Sequence, residues 1–306
     1  MRRVMLIQGA QESSFFPREK FNSDSGAIAL VSEAQAFLRG VEVNGRPLLL
    51  YEYCAAKDKA EFSARYQIVA EHLLLFVWSH LLWTRLPANL RQEQEETALL
   101  GQSYGLWIAA FLGGLCEFPT AVRLITQRLL LCSAVSGDSI LVRKHEGTID
   151  FAYLEILCRK HGNVWLSAIN HQRQCVISGM PEGIETILQT IRDIKGYERT
   201  RKINIGPPWH TPSLSLVAEK IEKAFRSFHE LSDLTIPILC LNNDEKLMRI
   251  WKKEEVFSHM LGEITQRRNF LEIVRQLPGD VELVELPVHK NLFLTSTIHI
   301  IREEQH

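Results

Sequence analysis

Residues 99–111, LLGQSYGLWIAAF, set Ser103 between two glycines, Gly101 and Gly105, after an apolar run and ahead of an amphipathic helical segment. Small residues two positions before and after a serine allow a strained strand-to-helix turn that pushes the hydroxyl into the open. The serine then stands at a helix N-terminus, where free backbone N–H groups can stabilise an oxyanion. The same string also serves as plain turn punctuation. Residues elsewhere in the chain must decide between a nucleophile and a bend.

Working outward, residues 97–101 read as a buried strand leading into the turn, and a helix runs on to about residue 113. Residues 3–8 form a short strand, and residues 60–86 carry a helical apolar pattern. Gly113 and Gly114 break the helix after Ser103, and another begins near Pro119, where proline is tolerated in a first turn. Strand, helix, strand, helix is the order of a parallel sheet covered by helices. From about residue 137 the texture changes. SILVR, a helix near 150–160, WLSAIN, QCVISG, a helix over about 181–194 and ERTRKINI follow the ferredoxin-like split βαβ order. The chain then returns to a helix from Pro212 to about Phe228, the strand IPILCL, two helices around 255–277 and the strand VELVEL. The expected fold class is α/β: an α/β-hydrolase-like parallel-sheet core over residues 1–135 and 206–306, with a ferredoxin-like small subdomain inserted over 136–205.

Composition narrows the function classes. With 306 residues, 46% of them hydrophobic, the chain can bury a sizeable core. Lys plus Arg (35) nearly balances Asp plus Glu (36), which argues against a strongly basic, nucleic-acid-binding surface. Six cysteines without a CxxC pair point to neither a disulfide framework nor a zinc site, and a reducing cytoplasm is expected. The N-terminal MRRVMLIQGAQE is too short in apolar residues for a signal peptide, and LLLFVWSHLLW (73–83), interrupted by His80, is too short to span a bilayer. It reads as a buried helix.

Four segments together resemble one family, the malonyl-CoA:acyl-carrier-protein transacylases and the related acyltransferase domains of polyketide synthases. GQSYGLWIAAFLGGLCEFPTAVRLITQR is similar to the family's GHSLGEYAAL segment and the helix after it, and Arg128 stands 25 positions after Ser103, where the family carries the arginine that binds its substrate's free carboxylate. WLSAINHQRQCVISG resembles the family's small-subdomain segment, with Asn170 at a matching position. NIGPPWHTPSL resembles the segment bearing the catalytic histidine, here His210, and VMLIQGAQ (4–11) is a worn version of the first-strand loop.

A serine hydroxyl needs a base within hydrogen-bond reach to attack a thioester, and the resemblance makes Ser103 and His210 that pair. It implies an oxyanion hole from the backbone N–H groups of Tyr104 and Gln8, and orientation of the imidazole by a backbone carbonyl of Asn242 or Asn243 in the LNND segment. Arg128, a planar fork suited to carboxylates, becomes the reader of a malonyl-type acyl group. Gln102, Trp209 and Asn170 are expected at the pocket. Tyr104 and Trp209 are bulkier than the family's usual residues, and their hydroxyl and indole N–H are candidate partners for a polar α-substituent.

The implied activity is transfer of a malonyl-type acyl group from CoA or a carrier protein to the phosphopantetheine thiol of an acyl carrier protein, in polyketide, hybrid or fatty-acid biosynthesis. No bound cofactor or metal is expected. The partners are acyl carrier protein and acyl-CoA, with no nucleic acid and no membrane, and the chain is expected to act as a monomer. Arg199, Arg201 and Lys202 form a candidate docking patch for an acidic carrier protein. Two rival readings remain: an editing acyl hydrolase that clears carrier proteins, and a non-catalytic docking protein.

Overall fold

The computed structural model describes residues 1–9, 18–88, 90, 96–226, 228, 230–288 and 293–303. The chain begins with β1 (Arg3–Ile7), α1 (Arg18–Ser23), α2 (Ser25–Phe37), the two-residue strands β2 (Glu42–Val43) and β3 (Arg46–Pro47), α3 (Leu50–Ala55) and the long α4 (Ala64–Arg85). It continues through β4 (Thr97–Gly101), α5 (Tyr104–Leu112) and α6 (Phe118–Cys132). Next come β5 (Asp138–Arg143), α7 (Phe151–His161), β6 (Val164–His171), β7 (Gln174–Gly179), α8 (Pro181–Arg192) and β8 (Arg201–Ile203). The last stretch holds α9 (Ser215–Arg226), β9 (Ile238–Leu241), β10 (Leu247–Ile250), α10 (Lys253–Thr265), β11 (Arg268–Asn269), α11 (Phe270–Gln276), β12 (Glu282–Glu285) and α12 (Phe293–Glu303).

Two five-stranded sheets organise these elements. The first runs β10-β9-β4-β1-β12, with β1 parallel to both β4 and β12, β4 parallel to β9, and β10 antiparallel at the edge. The second runs β11-β6-β7-β5-β8. Its β8-β5-β7-β6 part is antiparallel throughout and has the ferredoxin-like strand order, and β11 adds a parallel edge beside β6. The expected α/β class, a parallel core with a smaller sheet, is the fold.

The period-2 side-chain alternation of strands decides where the core sits. Met5 and Ile7 of β1, Leu99 of β4 and Ile238 and Cys240 of β9 enter a core shared with α2, α4, α5 and α6. Their neighbours Val4, Leu6, Ala98, Leu100 and Leu239 enter a second core that also contains Ile140, Val142 and Ile177 of the smaller sheet and Leu294 and Ile298 of α12. Central parallel strands are buried on both faces, so β1 and β4 read as unbroken apolar runs rather than as alternating ones. α4 includes the 73–83 segment and is buried along it, and His80 lies against the rings of Phe76 and Phe118. No helix among the described residues is long and apolar enough to cross a membrane.

The structure departs from the expected elements in several places. The helix placed from Pro212 starts at Ser215, after a 3₁₀ turn at Pro212–Leu214. The two helices around 255–277 are separated by β11, which pairs Arg268 with Ala168 and Asn269 with Ile169 before the Asn269 side chain caps α11 by accepting from the Glu272 N–H. α1 to α3, the strands β2 and β3 among them, β10 and α12 have no counterpart in the sequence reading.

Candidate active site

Ser103 caps the N-terminus of α5 with φ 54° and ψ −126°, a left-handed conformation for a non-glycine residue. The flanking glycines are required by close approach. A Cβ on Gly101 would lie 2.1 Å from the carbonyl oxygen of Gly105, and one on Gly105 would lie 2.2 Å from the carbonyl oxygen of Ile7. The GxSxG spacing is therefore a packing requirement where β1, β4 and α5 converge. Tyr104, the first residue of α5, offers one of the N–H groups that a helix leaves without an intrahelical acceptor. Gln8 follows β1 directly and is buried beside this turn. Residues 10 and 11 of the first-strand segment lie outside the described residues.

His210 approaches Ser103 across 107 residues of chain, with 2.8 Å between Ser103 Oγ and His210 Nε2. Its backbone also has a positive φ, 61°. The last turn of α10 holds it: the His210 backbone N–H donates to the Ile264 carbonyl at 2.9 Å, and Nδ1 lies 2.5 Å from the Glu263 carbonyl. A carbonyl can only accept, so Nδ1 carries the hydrogen and Nε2 presents its lone pair to the serine. These carbonyls belong to the last four of the helix, which have no intrahelical partner and form the negative end of its dipole.

This arrangement corrects the expected orienter. Asn242 and Asn243 do not hold His210. Asn242 is tied into the turn between β9 and β10, where its Oδ1 accepts from the N–H groups of Asp244 and Lys246 at 3.0 and 2.9 Å. Both asparagines line a separate cavity of about 420 Å³, together with His259, Gln266, Arg267 and Arg268.

Glu263 also contributes its side chain, which the sequence reading missed. Its Oε2 accepts from Trp107 Nε1 at 2.8 Å and from Arg128 Nη2 at 3.0 Å, and its Oε1 stands 3.5 Å from His210 Nδ1. The signal was present in the sequence. Val256, Met260, Glu263 and Ile264 are the buried positions of α10, so Glu263 is an acid on an apolar stripe. Arg128 lies likewise on the buried stripe of α6 with Ile125 and Leu129.

Arg128 thus reaches the site, but its charge is already paired with that of Glu263. It is 1% exposed and Glu263 is 0% exposed. Its Cζ lies 4.4 Å from the ring centre of Trp209, 4.8 Å from Trp107 and 5.2 Å from Tyr104. The polar atoms of that aromatic wall are spent within the protein: the Tyr104 hydroxyl donates to the His72 carbonyl at 3.0 Å, and Trp209 Nε1 donates to the Ile205 carbonyl at 2.8 Å. The expected reading of a polar α-substituent is therefore corrected as far as it needs these two groups as donors. Gln102 and Asn170, both expected at the pocket, meet each other: Gln102 Nε2 donates to Asn170 Oδ1 at 3.0 Å, which ties the serine turn to β6 of the smaller sheet.

The electrostatics follow from burial. Burial depresses the basicity of His210 most; the Glu263 charge and carbonyl oppose this, and the ring stays below the usual histidine range. Burial pushes the Glu263 carboxyl up, but Arg128, His210 and Arg268 outweigh it, so the group stays ionised. His72, packed edge-on to Tyr104, is brought down to about 4 by burial and by the charge of Arg128. Such a set can take a proton from a hydroxyl and hold the resulting imidazolium beside a carboxylate.

The candidate docking residues lie on and beside β8. Arg199 is exposed, Arg201 Nη1 donates to the Lys202 carbonyl at 3.3 Å, and Lys202 pairs with Asp138 and Glu185, each at 3.1 Å.

A parallel α/β core with a serine turn, a histidine on the serine and an added ferredoxin-like sheet defines the class. Within it, the resemblance read from the sequence and the known proteins that the chain matches agree on the malonyl-CoA:acyl-carrier-protein transacylases and polyketide synthase acyltransferase domains. A malonyl CoA-acyl carrier protein transacylase of Synechocystis sp. is 22% identical over 179 residues, 56% of this chain and 57% of that protein. A phenolphthiocerol/phthiocerol polyketide synthase polypeptide of Mycobacterium tuberculosis is 29% identical over 147 residues, 46% of this chain but 6% of the synthase polypeptide. The matched stretch thus spans little more than half of the first relative and a small part of the second. Among solved structures, malonyl CoA-acyl carrier protein transacylase from Burkholderia pseudomallei superposes with TM-score 0.73 at 20% identity, over 99% of each chain. A malonyl-transacylase in complex with a type II polyketide synthase acyl-carrier protein superposes with TM-score 0.75 at 18% identity, over 99% of this chain and 94% of the other. No protein-family model matches the chain.

Proposed function

We propose that the chain is an acyltransferase of the malonyl transacylase type, carrying an acyl group from a thioester to the phosphopantetheine thiol of an acyl carrier protein. The observation that supports it most is the 2.8 Å contact of His210 Nε2 with Ser103 at the head of α5. In the first half-reaction Ser103 Oγ attacks the thioester carbonyl while His210 takes the hydroxyl proton. The oxyanion sits on the N–H groups of Gln8 and Tyr104, donors of a kind typically worth a factor of about 100 to 1,000 each. The C–S bond then breaks, and the leaving thiol receives the proton from His210. In the second half the carrier thiol gives its proton to His210 and attacks the ester, and Ser103 takes a proton back as it departs.

The chemistry needs no cofactor beyond the acyl thioester. Acyl carrier protein and acyl-CoA are the partners, the setting is cytoplasmic biosynthesis, and the chain works as a monomer. Arg199, Arg201 and Lys202 are the patch through which an acidic carrier protein docks, Lys202 also pairing with Asp138 and Glu185. On likeness alone the acyl group is malonyl.

One observation favours a second reading. An arginine that holds a malonyl carboxylate marks a transferase rather than an editing hydrolase whose acyl-enzyme is released to water, and here the charge of Arg128 is paired with Glu263. Mass spectrometry of the protein after incubation with acyl-CoA, with and without holo carrier protein, separates the two. Transfer predicts an adduct on Ser103 that persists until carrier protein is added and is absent from Ser103→Ala. Loss of the adduct to water at the same rate with or without carrier protein makes the chain a hydrolase, and a normal adduct in Ser103→Ala removes the nucleophile assignment.

A further inference from the structure

The charge of Arg128 is already answered from inside the protein. Its guanidinium has two faces able to grip a carboxylate with a pair of N–H groups, one through Nε and Nη2 and the other through Nη1 and Nη2. Nη2 lends one N–H to each of them, and one of those two N–H groups donates to Glu263 Oε2. Nε and Nη1 are buried without a partner among the described residues, so the face that meets Glu263 keeps one free donor and the other face keeps a pair. A substrate carboxylate would have to displace Glu263 or share one guanidinium with it.

Displacement is opposed by the way Glu263 is held. Trp107 Nε1 grips the same oxygen, and the glutamate's own carbonyl receives His210 Nδ1–H, so moving the residue disturbs the histidine as well. Swinging only the carboxylate away would strand a buried negative charge. Sharing brings two like charges together in a dry pocket, where each disfavours ionisation of the other. Arg128 and Glu263 offset each other beside a neutral His210, with Arg268, which lines the separate cavity, adding a positive field to both Glu263 and His210, and an uncharged acyl group leaves the Arg128–Glu263 pair intact. It also leaves Glu263 Oε1 at 3.5 Å to meet the imidazolium formed during acylation.

On the acyl-transfer reading above, on which this rests, we propose that Glu263 neutralises the charge of Arg128 and so selects acyl groups without a free carboxylate, such as acetyl, over malonyl. Glu263 is then the specificity-determining residue. Its side-chain charge sets the acyl class, while its backbone carbonyl orients the base.

The test is competition. Equimolar acetyl-CoA and malonyl-CoA are offered to the protein, and the two Ser103 adducts are quantified by mass spectrometry over the initial, linear phase. The expected result is an excess of acetyl over malonyl of at least about tenfold. Glu263→Gln keeps the carbonyl and removes the charge, so the malonyl-to-acetyl ratio should rise by about tenfold or more, whatever happens to the overall rate. Arg128→Gln combined with Glu263→Gln should lose that gain, because the cation is gone. Preferential malonyl loading by the native protein overturns the proposal without any variant having to fold. So does an unchanged ratio in a folded Glu263→Gln. If neither thioester labels Ser103 in the native protein, the acyl-transfer reading falls, and this inference with it.

Discussion

Arg85 and Arg128 each meet a carboxylate, and the two pairs sit at opposite limits of exposure. Arg85 grips Asp24 with two hydrogen bonds, 2.6 and 2.7 Å, between side chains that are 47% and 25% exposed. Arg128 makes one bond to Glu263, 3.0 Å, at 1% and 0% exposure. By geometry alone the surface pair is the better made. Water decides otherwise: each partner of the surface pair can be resolvated if the other is removed, whereas neither member of the buried pair can. The surface pair fastens the start of α2 to the end of α4, and the buried one sets the charge beside a nucleophile.

The comparison can be broken most directly at Glu263. Glu263→Ala leaves Arg128 and Trp107 Nε1 without their acceptor in the core, and an uncompensated buried charge typically costs about 3 to 5 kcal/mol of stability. Urea unfolding should show that loss. A change within about 0.5 kcal/mol, the range of ordinary surface substitutions, would mean that water reaches Arg128 after all.

An intermediate effect is expected from pH. His72, His80 and His171 are each held down to about 4, burial being the first cause in every case, and His210 is lowered in the same direction. The unfolded chain binds protons near pH 6.5 that the folded protein refuses. Stability should therefore be full above about 6.5 and fall steadily towards 4. Asp24 adds nothing in this window, since hydrogen bonds from Arg85 and the Ala27 N–H hold its carboxyl far below the usual range. A thermal midpoint that stays flat between pH 6.5 and 4 would contradict these protonation states. In the Glu263→Gln protein, removal of a charge that favours the imidazolium should move the acid limb of the acylation profile to lower pH.

The smallest effects belong to the surface. Asp24→Ala should cost about 1 kcal/mol, because the side chain also caps α2 by accepting from the Ala27 N–H at 3.0 Å. Arg85→Ala removes the ion pair alone and should cost roughly 0.2 to 1 kcal/mol, less at high salt. If Arg85→Ala proves as damaging as Glu263→Ala, exposure is not what separates the two pairs.

Much of the molecule was legible from local pattern. The glycine spacing around Ser103 states a close approach of backbones, and the apolar runs of β1 and β4 state burial on both faces. The strand and helix order after residue 137 states a split βαβ unit. Ser103, His210 and the Gln102–Asn170 region could be named because their neighbours in sequence carry the resemblance. Short pieces with little periodicity stayed hidden. β11, two residues long between two helices, exists because Arg268 and Asn269 fall beside β6 and become the edge of its sheet.

The sequence by itself determined the α/β order, the serine turn and the presence of an arginine and a histidine at informative positions. Tertiary structure alone decided what those two side chains face. Asn242 stood in a plausible segment, yet its side chain closes a turn on its own neighbours. Glu263 is one of 36 acidic residues, and it acquires its place by meeting His210, Arg128 and Trp107 across 53, 135 and 156 residues of chain. A spacing in sequence can place an arginine on the inner stripe of a helix, where it must find a partner. Which carboxylate answers it, one from the substrate or one from the protein, depends on where a distant helix happens to end.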